Sequence, residues 1–244
     1  MIVAGFLLFA IGAADLVRQF VPRRWGGYLA ILVVLLILGG AADALAPMIV
    51  APVLGALWLW SMPESRDARW SFWPAVALAF VCIVAVLWIG DRGTVGIVGE
   101  VWQLKTPFGA VSFDLAMLVL GVLVFLLESS NLVVRAALTG EHAWQPADAG
   151  IAAPPASDPP TMRGGFKGGR LIGPLERVIV FMLTLTAAYP VLAAMLAAKG
   201  IVRFPEISKD GESGGRAEYF LVGSLVSWVI GLGAAFLVWW CAHV

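Results

Sequence analysis

Two long apolar runs near the C-terminal end decide what this chain can fold into. The first begins at Pro174 and Glu176, which suit a helix start because proline fits the first helical position and an acid faces the positive end of the helix dipole. It continues to Lys199, about 39 Å of helix, which is longer than the hydrocarbon core of a bilayer. Pro190 should bend this helix. A second run follows Glu218, so the sequence predicts membrane-spanning helices here.

The composition extends this conclusion to the whole chain. Of 244 residues, 61% are hydrophobic and 13% are charged, and the mean hydropathy is +0.92. Soluble domains carry about 25% charged residues, so this sequence could not supply a water-facing surface. Tryptophans, Trp58 among them, gather near the ends of the runs, where headgroups favour their rings. We predict an all-α, polytopic transmembrane helix bundle whose partner is the lipid bilayer. The zero net charge gives no reason to expect nucleic acid.

The N-terminal half contains one ambiguous region. Residues 1–20 are interpreted as a retained spanning helix, because positive charge follows this apolar stretch instead of preceding it. Asp15 lies near the end of this helix, within reach of the interface, and a buried ionisable site is the alternative. Residues 27–62 are too long for one ordinary span and short for two. Four residues interrupt their middle: Gly39, Gly40, Asp43 and Pro47. We favour a helical hairpin, with one tilted, broken helix as the alternative.

The remaining segments divide the chain into three parts. Residues 72–90 and about 113–137 are predicted spans, and the mixed segment 91–112 should hold a short strand or an interfacial helix. Residues 138–169 are rich in Pro, Ala and Gly and cannot bury enough apolar surface to order themselves, which predicts a flexible linker. The predicted parts are N-terminal membrane helices over 1–137, the linker over 138–169, and a C-terminal two-helix membrane unit over 170–244 that packs on the first part.

The distribution of positive charge orients the chain. With the hairpin there are seven spans, and ten Arg and Lys residues fall on the linker side: Arg18, Arg23, Arg24, Arg66, Arg69, Arg135, Arg163, Lys167, Arg170 and Arg177. Six fall on the other side: Arg92, Lys105, Lys199, Arg203, Lys209 and Arg216. With six spans the split is nine against seven. The positive-inside rule therefore favours about seven spans, a cytoplasmic linker, an external N-terminus and a cytoplasmic C-terminus.

Charged residues at the ends of the predicted spans form two candidate clusters. The first cluster, on the cytoplasmic side, comprises Glu128, Asn131, Arg135, Arg170, Glu176 and Arg177. The second cluster, on the outer side, comprises Lys199, Arg203, Glu206 and Glu218. A structural role is the ordinary interpretation, because Arg and Lys near helix ends reach towards headgroups and acids cap helix N-termini.

Glu128 is the most informative member of the first cluster. Glu128, Asn131 and Arg135 fall at i, i+3 and i+7, which places them on one face of a helix. Glu128 lies deep enough that leaving it unpaired would cost several kcal/mol. We predict that it faces the helix bundle and pairs with Arg177 first and Arg135 second. A structural pair is favoured over a proton or ion site.

No catalytic, cofactor or metal site is predicted. The sequence has no GxSxG, GxxxxGK[ST] or HExxH pattern, and its two histidines, His142 and His243, are far apart. Cys82 and Cys241 both lie within apolar runs and are interpreted as buried thiols. The sequence therefore leans towards a protein that is not an enzyme.

Three stretches carry a resemblance to a known family. GRLIGPLER, AAKGIVRF and AEYFLVGSLVS occur in this order, preceded by LLESSNLVVRAAL. Over about residues 118–232 the chain resembles the C-terminal membrane region of a bacterial integral membrane protein family of unknown function. The resemblance lends no activity, and residues 1–110 do not take part in it. We expect a multi-pass protein of the bacterial cytoplasmic (inner) membrane.

Three functions from different classes fit the sequence. The favoured one is a non-enzymatic scaffold or regulatory component that binds a membrane protein or a second copy through a small-residue face, Gly223, Ser227 and Gly231. The second is a small transporter or channel with residues 27–62 and Glu128 along its path. The third is a membrane enzyme or binder that holds an anionic lipid headgroup with its Arg and Lys clusters.

Overall fold

The computed structural model describes residues 1–62, 72–88, 96–102, 104–106, 109–140, 169–207 and 215–243. Within these ranges the chain forms ten helices and one antiparallel pair of three-residue strands. The elements in chain order are α1 (Ile2–Phe20), α2 (Arg24–Ala41), α3 (Leu45–Ser61), α4 (Trp73–Trp88), α5 (Gly96–Val101), β1 (Leu104–Thr106), β2 (Gly109–Val111), α6 (Phe113–Leu127), α7 (Ser129–Gly140), α8 (Gly169–Leu185), α9 (Tyr189–Ile207) and α10 (Gly215–His243). The predicted all-α class is confirmed.

Fewer helices than predicted could cross a membrane unaided. In the described ranges, three helices are long and apolar enough: α1, α2 and the Glu218–His243 part of α10. The bent pair α6 and α7, counted as one span, is a fourth. α3 and α4 are apolar but have only 17 and 16 residues. The described ranges therefore hold fewer candidate spans than the seven or six predicted from the sequence, because several of the predicted spans are short or broken.

α1 is the central helix of the N-terminal part and packs directly on α6. A Cβ built at Gly5 would lie 2.8 Å from the backbone nitrogen of Leu118, and one at Gly12 would lie 2.6 Å from that of Phe125. Since both contacts advance along the two helices in the same direction, α1 and α6 are parallel. Glycine is required at both positions because any side chain would overlap the backbone of α6.

Residues 27–62 form the hairpin rather than the single broken helix. Asp43 follows α2 in the left-handed region, with φ of 51°. The amide of Ala44 donates to the carbonyl of Gly39 at 2.8 Å, and that of Asp43 donates to Gly40 at 3.2 Å. These two bonds are those of a Schellman motif, which satisfies the last carbonyls of a helix as the chain turns. α3 then runs antiparallel to α2.

The segment predicted as a mixed loop over 91–112 holds both of the expected kinds of structure. Its described part contains the short helix α5 and the strands β1 and β2. Gly96, with φ of 62°, lies against the turn that ends α2, where an added Cβ would be 2.5 Å from the Ala42 carbonyl carbon. The start of α5 therefore packs against the turn of the α2–α3 hairpin.

The predicted span over about 113–137 is broken in the structure. α6 ends at Leu127, α7 starts two residues later, and the two axes meet at 48°. Glu128 lies at the break with φ of −125° and ψ of −44°. The Ser130 hydroxyl donates to the Leu126 carbonyl at 2.7 Å, a local bond that competes with the helical ladder and bends helices.

The first apolar run was predicted as one long, kinked helix, and this prediction is wrong. α8 ends at Leu185, and the chain reverses through Ala187, which has φ of 54°. The amide of Ala188 donates to Leu183 at 2.9 Å and that of Ala187 to Thr184 at 3.1 Å, which is a second Schellman motif. α9 then returns along α8.

Pro190 has a different effect from the predicted kink. It lies in the first turn of α9, where a residue without an amide hydrogen breaks no helical bond. It therefore starts a second helix instead of bending the first. The C-terminal unit consequently has three helices, α8, α9 and α10, rather than the predicted two.

α10 starts at the same end of the bundle as α8 and runs parallel to it. Trp228 lies at the level of Glu176, to which its indole donates a hydrogen bond. Gly231 lies at the level of Val180, whose Cγ1 would be 3.2 Å from a Cβ added to the glycine. The small-residue face predicted for a partner is used inside the chain: Gly223 faces Leu138 of α7, and Ser227 is buried.

The predicted flexible linker lies mostly outside the described residues. Leu138 to Gly140 belong to α7, and Gly169 is the first residue of α8. Residues 141–168 between them are not among the described ranges. Since α7 ends and α8 begins at the same end of the bundle, that end is called the linker side below.

Candidate functional site

Four consecutive polar residues at the α6–α7 break, Glu128 to Asn131, form the centre of a buried polar network. The bend turns their side chains in different directions, so that each contacts a different neighbour. Ser129 contacts α1, Ser130 and Asn131 contact α8, and Glu128 contacts Arg135 within α7. Because Glu128, Ser129 and Ser130 are buried, their polar atoms depend on these protein partners instead of water.

Asp15 is the partner of this centre in α1. Its side chain is 1% exposed, so the expectation that it reaches the interface is wrong. Its Oδ2 accepts hydrogen bonds from the Ser129 hydroxyl at 2.5 Å and from the indole Nε1 of Trp58 at 3.0 Å. Trp58 was assigned to the headgroup belt from the sequence, yet it is buried and joins α3 to this carboxylate.

Arg18 balances the charge of Asp15 and extends the network to the end of α3. Its Nη2 lies 3.1 Å from Asp15 Oδ1, an ion pair without hydrogen-bond geometry. Its Nη1 donates to the backbone carbonyl of Met62 at 2.8 Å. This carbonyl follows α3 directly, where helix carbonyls need outside donors. Arg18 therefore ties α1 to α3 at the linker side.

Glu128 is 4% exposed and lies inside the bundle. Its Oε1 is 3.4 Å from Arg135 Nη2, and its Oε2 accepts a hydrogen bond from Asn131 Nδ2 at 3.3 Å. Glu128 thus forms an ion pair with Arg135, the predicted second partner, and no direct contact with Arg177, the predicted first partner, is found among the described residues. Arg177 acts through Asn131, because the amide of Asn131 donates to Glu128 while its oxygen accepts from Arg177.

Arg177 is the most deeply placed cation of the network, with 2% of its surface exposed. Its Nη1 donates to Ser130 Oγ at 3.1 Å and to Asn131 Oδ1 at 3.0 Å, and its Nη2 also donates to Asn131. Its Nε has no hydrogen-bond partner within the described part of the chain. Two neutral side chains at the helix break therefore hold a guanidinium from α8, which joins α7 to the C-terminal unit.

Glu176, the residue before Arg177, makes the last link. Its two carboxylate oxygens lie 2.6 and 2.7 Å from Lys199 Nζ, and Oε1 also accepts from Trp228 Nε1 at 2.9 Å. The Lys199 ammonium lies over the rings of Phe220 and Trp228, 5.8 and 5.5 Å from their centroids. Glu176 and Lys199 were predicted on opposite sides of the membrane, and the reversal at Ala187 brings them into contact.

The remaining predicted residues stay apart from this network or outside the described side chains. Glu218 is exposed in the first turn of α10, where its charge faces the positive end of the helix dipole. Arg170 lies in α8, and Arg203 and Glu206 lie in α9, but their side chains fall outside the described part.

Sequence reasoning missed five members of the network: Arg18, Trp58, Ser129, Ser130 and Trp228. Ser129 and Ser130 adjoin Glu128, but a straight helix would turn them away from its face. Only the break at Glu128 brings these neighbours into one site. The signal available in the sequence was the run of four polar residues within an otherwise apolar span.

Nothing in the described ranges suggests a metal centre. No group of three or more His, Cys, Asp or Glu residues there could hold an ion. Cys82 and Cys241 are free and buried in the apolar core.

The chain matches no protein-family model, no curated protein and no solved structure. What the network can do is hold helices together, since removal of one member of a buried ion pair costs about 3–5 kcal/mol.

Proposed function

We propose that this protein is a multi-pass protein of the bacterial inner membrane that acts as a non-enzymatic scaffold or regulatory component. In this proposal it is related to the family that its C-terminal motifs resemble. The pairing of its buried charges carries the proposal. Asp15, Glu128 and Glu176 each have a cation of the same chain as partner, at 3.1, 3.4 and 2.6 Å. A substrate that used one of these acids would have to displace its cation, and loss of one partner of a buried pair is costly, which favours a role in helix contacts.

The outer surface of the bundle supports the membrane location. Large apolar side chains are exposed along whole helices, for example Ile37 of α2 and Leu225 and Phe236 of α10. Such surfaces are unstable in water and suit contact with lipid tails. The linker side faces the cytoplasm in this proposal because positive charge gathers there.

A protein partner or a second copy would bind one of these outward apolar faces. The small-residue face of α10 is already covered by α7 and α8, so it does not serve this purpose. Lipid tails cover the rest of the surface, and anionic headgroups would meet the cations at the linker side.

Site-specific photo-crosslinking in native membranes tests the scaffold role. A photoreactive residue replaces Val202 of α9 or Leu225 of α10, both exposed, and Phe181 of α8, which is buried, serves as the matched control. We expect a discrete protein adduct from an outward position and only intramolecular products from position 181. Lipid adducts alone at both outward positions would contradict a scaffold.

A transporter is the second candidate, because α6 and α7 break at a buried ionisable residue, a feature of transporter sites. The close α1–α6 contact at Gly5 and Gly12 counts against a path beyond Asp15. Proton flux into proteoliposomes, followed with a pH-sensitive dye, separates the two roles. Loss of flux in Glu128→Gln with unchanged stability would support transport. Absence of flux in the parent, together with lower stability of Glu128→Gln, is expected for a scaffold.

The third function, binding of an anionic headgroup by the first cluster, has less support. Arg177 is buried and its Nη atoms donate to Ser130 and Asn131, so an approaching headgroup would have to displace these bonds. We therefore propose that Arg177 serves the contact between α7 and α8 and does not bind a headgroup.

A further inference from the structure

We propose that α8 and α9 form a membrane-inserted hairpin that returns the chain to the linker side, so that α10 carries the C-terminus to the opposite side of the membrane. This topology replaces the single crossing predicted for 174–199 and the cytoplasmic C-terminus predicted with it. The inference rests on the membrane location in the proposed function and is independent of the scaffold role.

The contact between Glu176 and Lys199 is the first observation. The two residues are 23 positions apart, yet their charged atoms lie 2.6 Å from one another. In one continuous helix they would be separated by about 35 Å, more than the thickness of the hydrocarbon core. The contact therefore places the two residues at the same depth, and the chain that leaves Glu176 must come back to that depth before residue 199.

The turn between the two helices is suited to an apolar environment. The hydroxyls of Thr184 and Thr186 donate to the carbonyls of Val180 and Met182 at 2.7 and 2.9 Å. The Schellman bonds occupy further carbonyls of the last turn of α8. Residues 178–198 contain no charged side chain. Backbone and side-chain polar groups paired in this way can enter the hydrocarbon region.

α10 provides the direction of the last crossing. Trp228 of α10 donates to Glu176, so these residues and Lys199 lie at one level of the bundle. α10 is parallel to α8 and continues from Trp228 to His243, about 22 Å further from the linker side. The hairpin and α10 together thus begin on one side and end on the other.

The distribution of positive charge agrees with this topology. Four cations that the single-crossing topology placed outside move to the linker side: Lys199, Arg203, Lys209 and Arg216. Fourteen of the sixteen Arg and Lys residues then lie on the linker side, and Arg92 and Lys105 remain on the other. The earlier split was ten against six. The positive-inside rule is obeyed far better by the returning hairpin.

Cysteine labelling in the full chain tests the position of the α9–α10 connection. With Cys82 and Cys241 changed to alanine, Ser213→Cys is exposed to a membrane-impermeant maleimide in intact cells and in inverted vesicles. Ser65→Cys marks the cytoplasmic side and Thr94→Cys the outer side as matched controls. We expect Ser213→Cys to behave like Ser65→Cys, with labelling at least tenfold stronger in inverted vesicles. Labelling like Thr94→Cys would overturn the inference.

Reporters fused after Val244 provide a second, independent measurement on the unmutated chain. We expect an alkaline phosphatase fusion to be active and a green fluorescent protein fusion to be dark, as for an external C-terminus. The reverse result would refute the crossing by α10. Extraction of the chain from membranes by alkaline carbonate would instead refute the membrane location itself, which separates failure of the proposed function from failure of this topology.

Discussion

The two helical hairpins of this protein turn in the same way and are stabilised in different ways. α2–α3 and α8–α9 both reverse through a Schellman motif whose left-handed residue is not glycine, Asp43 in one and Ala187 in the other. The α2–α3 hairpin lies against α1, whose Arg18 donates to the carbonyl that follows α3. Its geometry is therefore supported along its length by a neighbouring helix.

The α8–α9 hairpin has much less packing on its second helix. α9 packs mainly on α8, and Leu192 is the buried residue among its described side chains. Near its middle, α9 is held by Lys199, which contacts Glu176 and lies over the ring of Trp228. A hairpin can thus be supported either by packing on a neighbouring helix or by a polar contact between its own two helices, and the two cases should respond differently to mutation.

The largest loss of stability is expected for the α2–α3 hairpin, because Arg18, which contacts the end of α3, is held by a buried ion pair with Asp15. Asp15→Asn removes the charge that balances Arg18 beside α3 and should lower the free energy of unfolding by about 3–5 kcal/mol. Denaturant titration of the purified protein in mild detergent, followed by circular dichroism, measures it. Asp43→Asn is the control and should be nearly neutral, because asparagine also adopts the left-handed region. Equal stability of the two variants would show that the pair does not support this hairpin.

A smaller effect with a different readout is expected for α8–α9. Lys199→Met removes a partly exposed ion pair and should cost about 1–3 kcal/mol. Because α9 has little other packing, we also expect a cysteine at Leu192 to be labelled several times faster by a maleimide in this background. The charge exchange Glu176→Lys with Lys199→Glu should restore part of both losses. Labelling that is unchanged in Lys199→Met would mean that packing alone holds α9.

Ala187→Gly should have a still smaller effect, in the stabilising direction. An alanine in the left-handed region costs about 1–2 kcal/mol, and glycine loses about 0.5–1 kcal/mol more entropy on folding. The net gain should be about 0.5–1 kcal/mol in the same denaturant titration. Ala188→Gly is the matched control and should not stabilise, because positive φ is found at Ala187 and not at its neighbour. Destabilisation by Ala187→Gly would argue against the Schellman geometry of this turn.

Asp43→Gly should have the smallest effect and completes the comparison. Aspartate tolerates the left-handed region better than alanine, so little strain is available for glycine to relieve. We expect a change within about 0.5 kcal/mol. A gain as large as that of Ala187→Gly would show that the two turns store equal strain despite their different residues.

The sequence could indicate one of these hairpins and not the other. Gly39, Gly40 and Asp43 are turn residues within an apolar region, and they led to the hairpin interpretation of 27–62. The α8–α9 turn is TAAYP, whose alanines favour helices and whose proline was read as a kink. The reversal there uses a left-handed alanine, which local sequence preferences do not indicate, and it brings together residues 23 positions apart.

The sequence likewise predicted only part of the polar network. Spacing placed Glu128, Asn131 and Arg135 together, and the structure brings all three into one set of contacts. The spacing argument assumes a straight helix, however, so it could not find Ser129 and Ser130, whose directions depend on the 48° bend. It also could not distinguish a tryptophan at the headgroups from one that donates to a buried carboxylate.

The separation in sequence between the partners of Asp15 has a consequence for biosynthesis. Ser129 lies 114 residues after Asp15, so at ordinary elongation rates the ribosome synthesises Ser129 on the order of ten seconds after Asp15. Arg18, by contrast, lies only three residues after Asp15 and can neutralise it within the newly made helix. We expect α1 to enter the bilayer as a nearly neutral segment for this reason. The Asp15–Arg18 ion pair, which belongs to the network of the folded bundle, would thus also lower the free-energy cost of placing α1 in lipid while the later helices are still being translated.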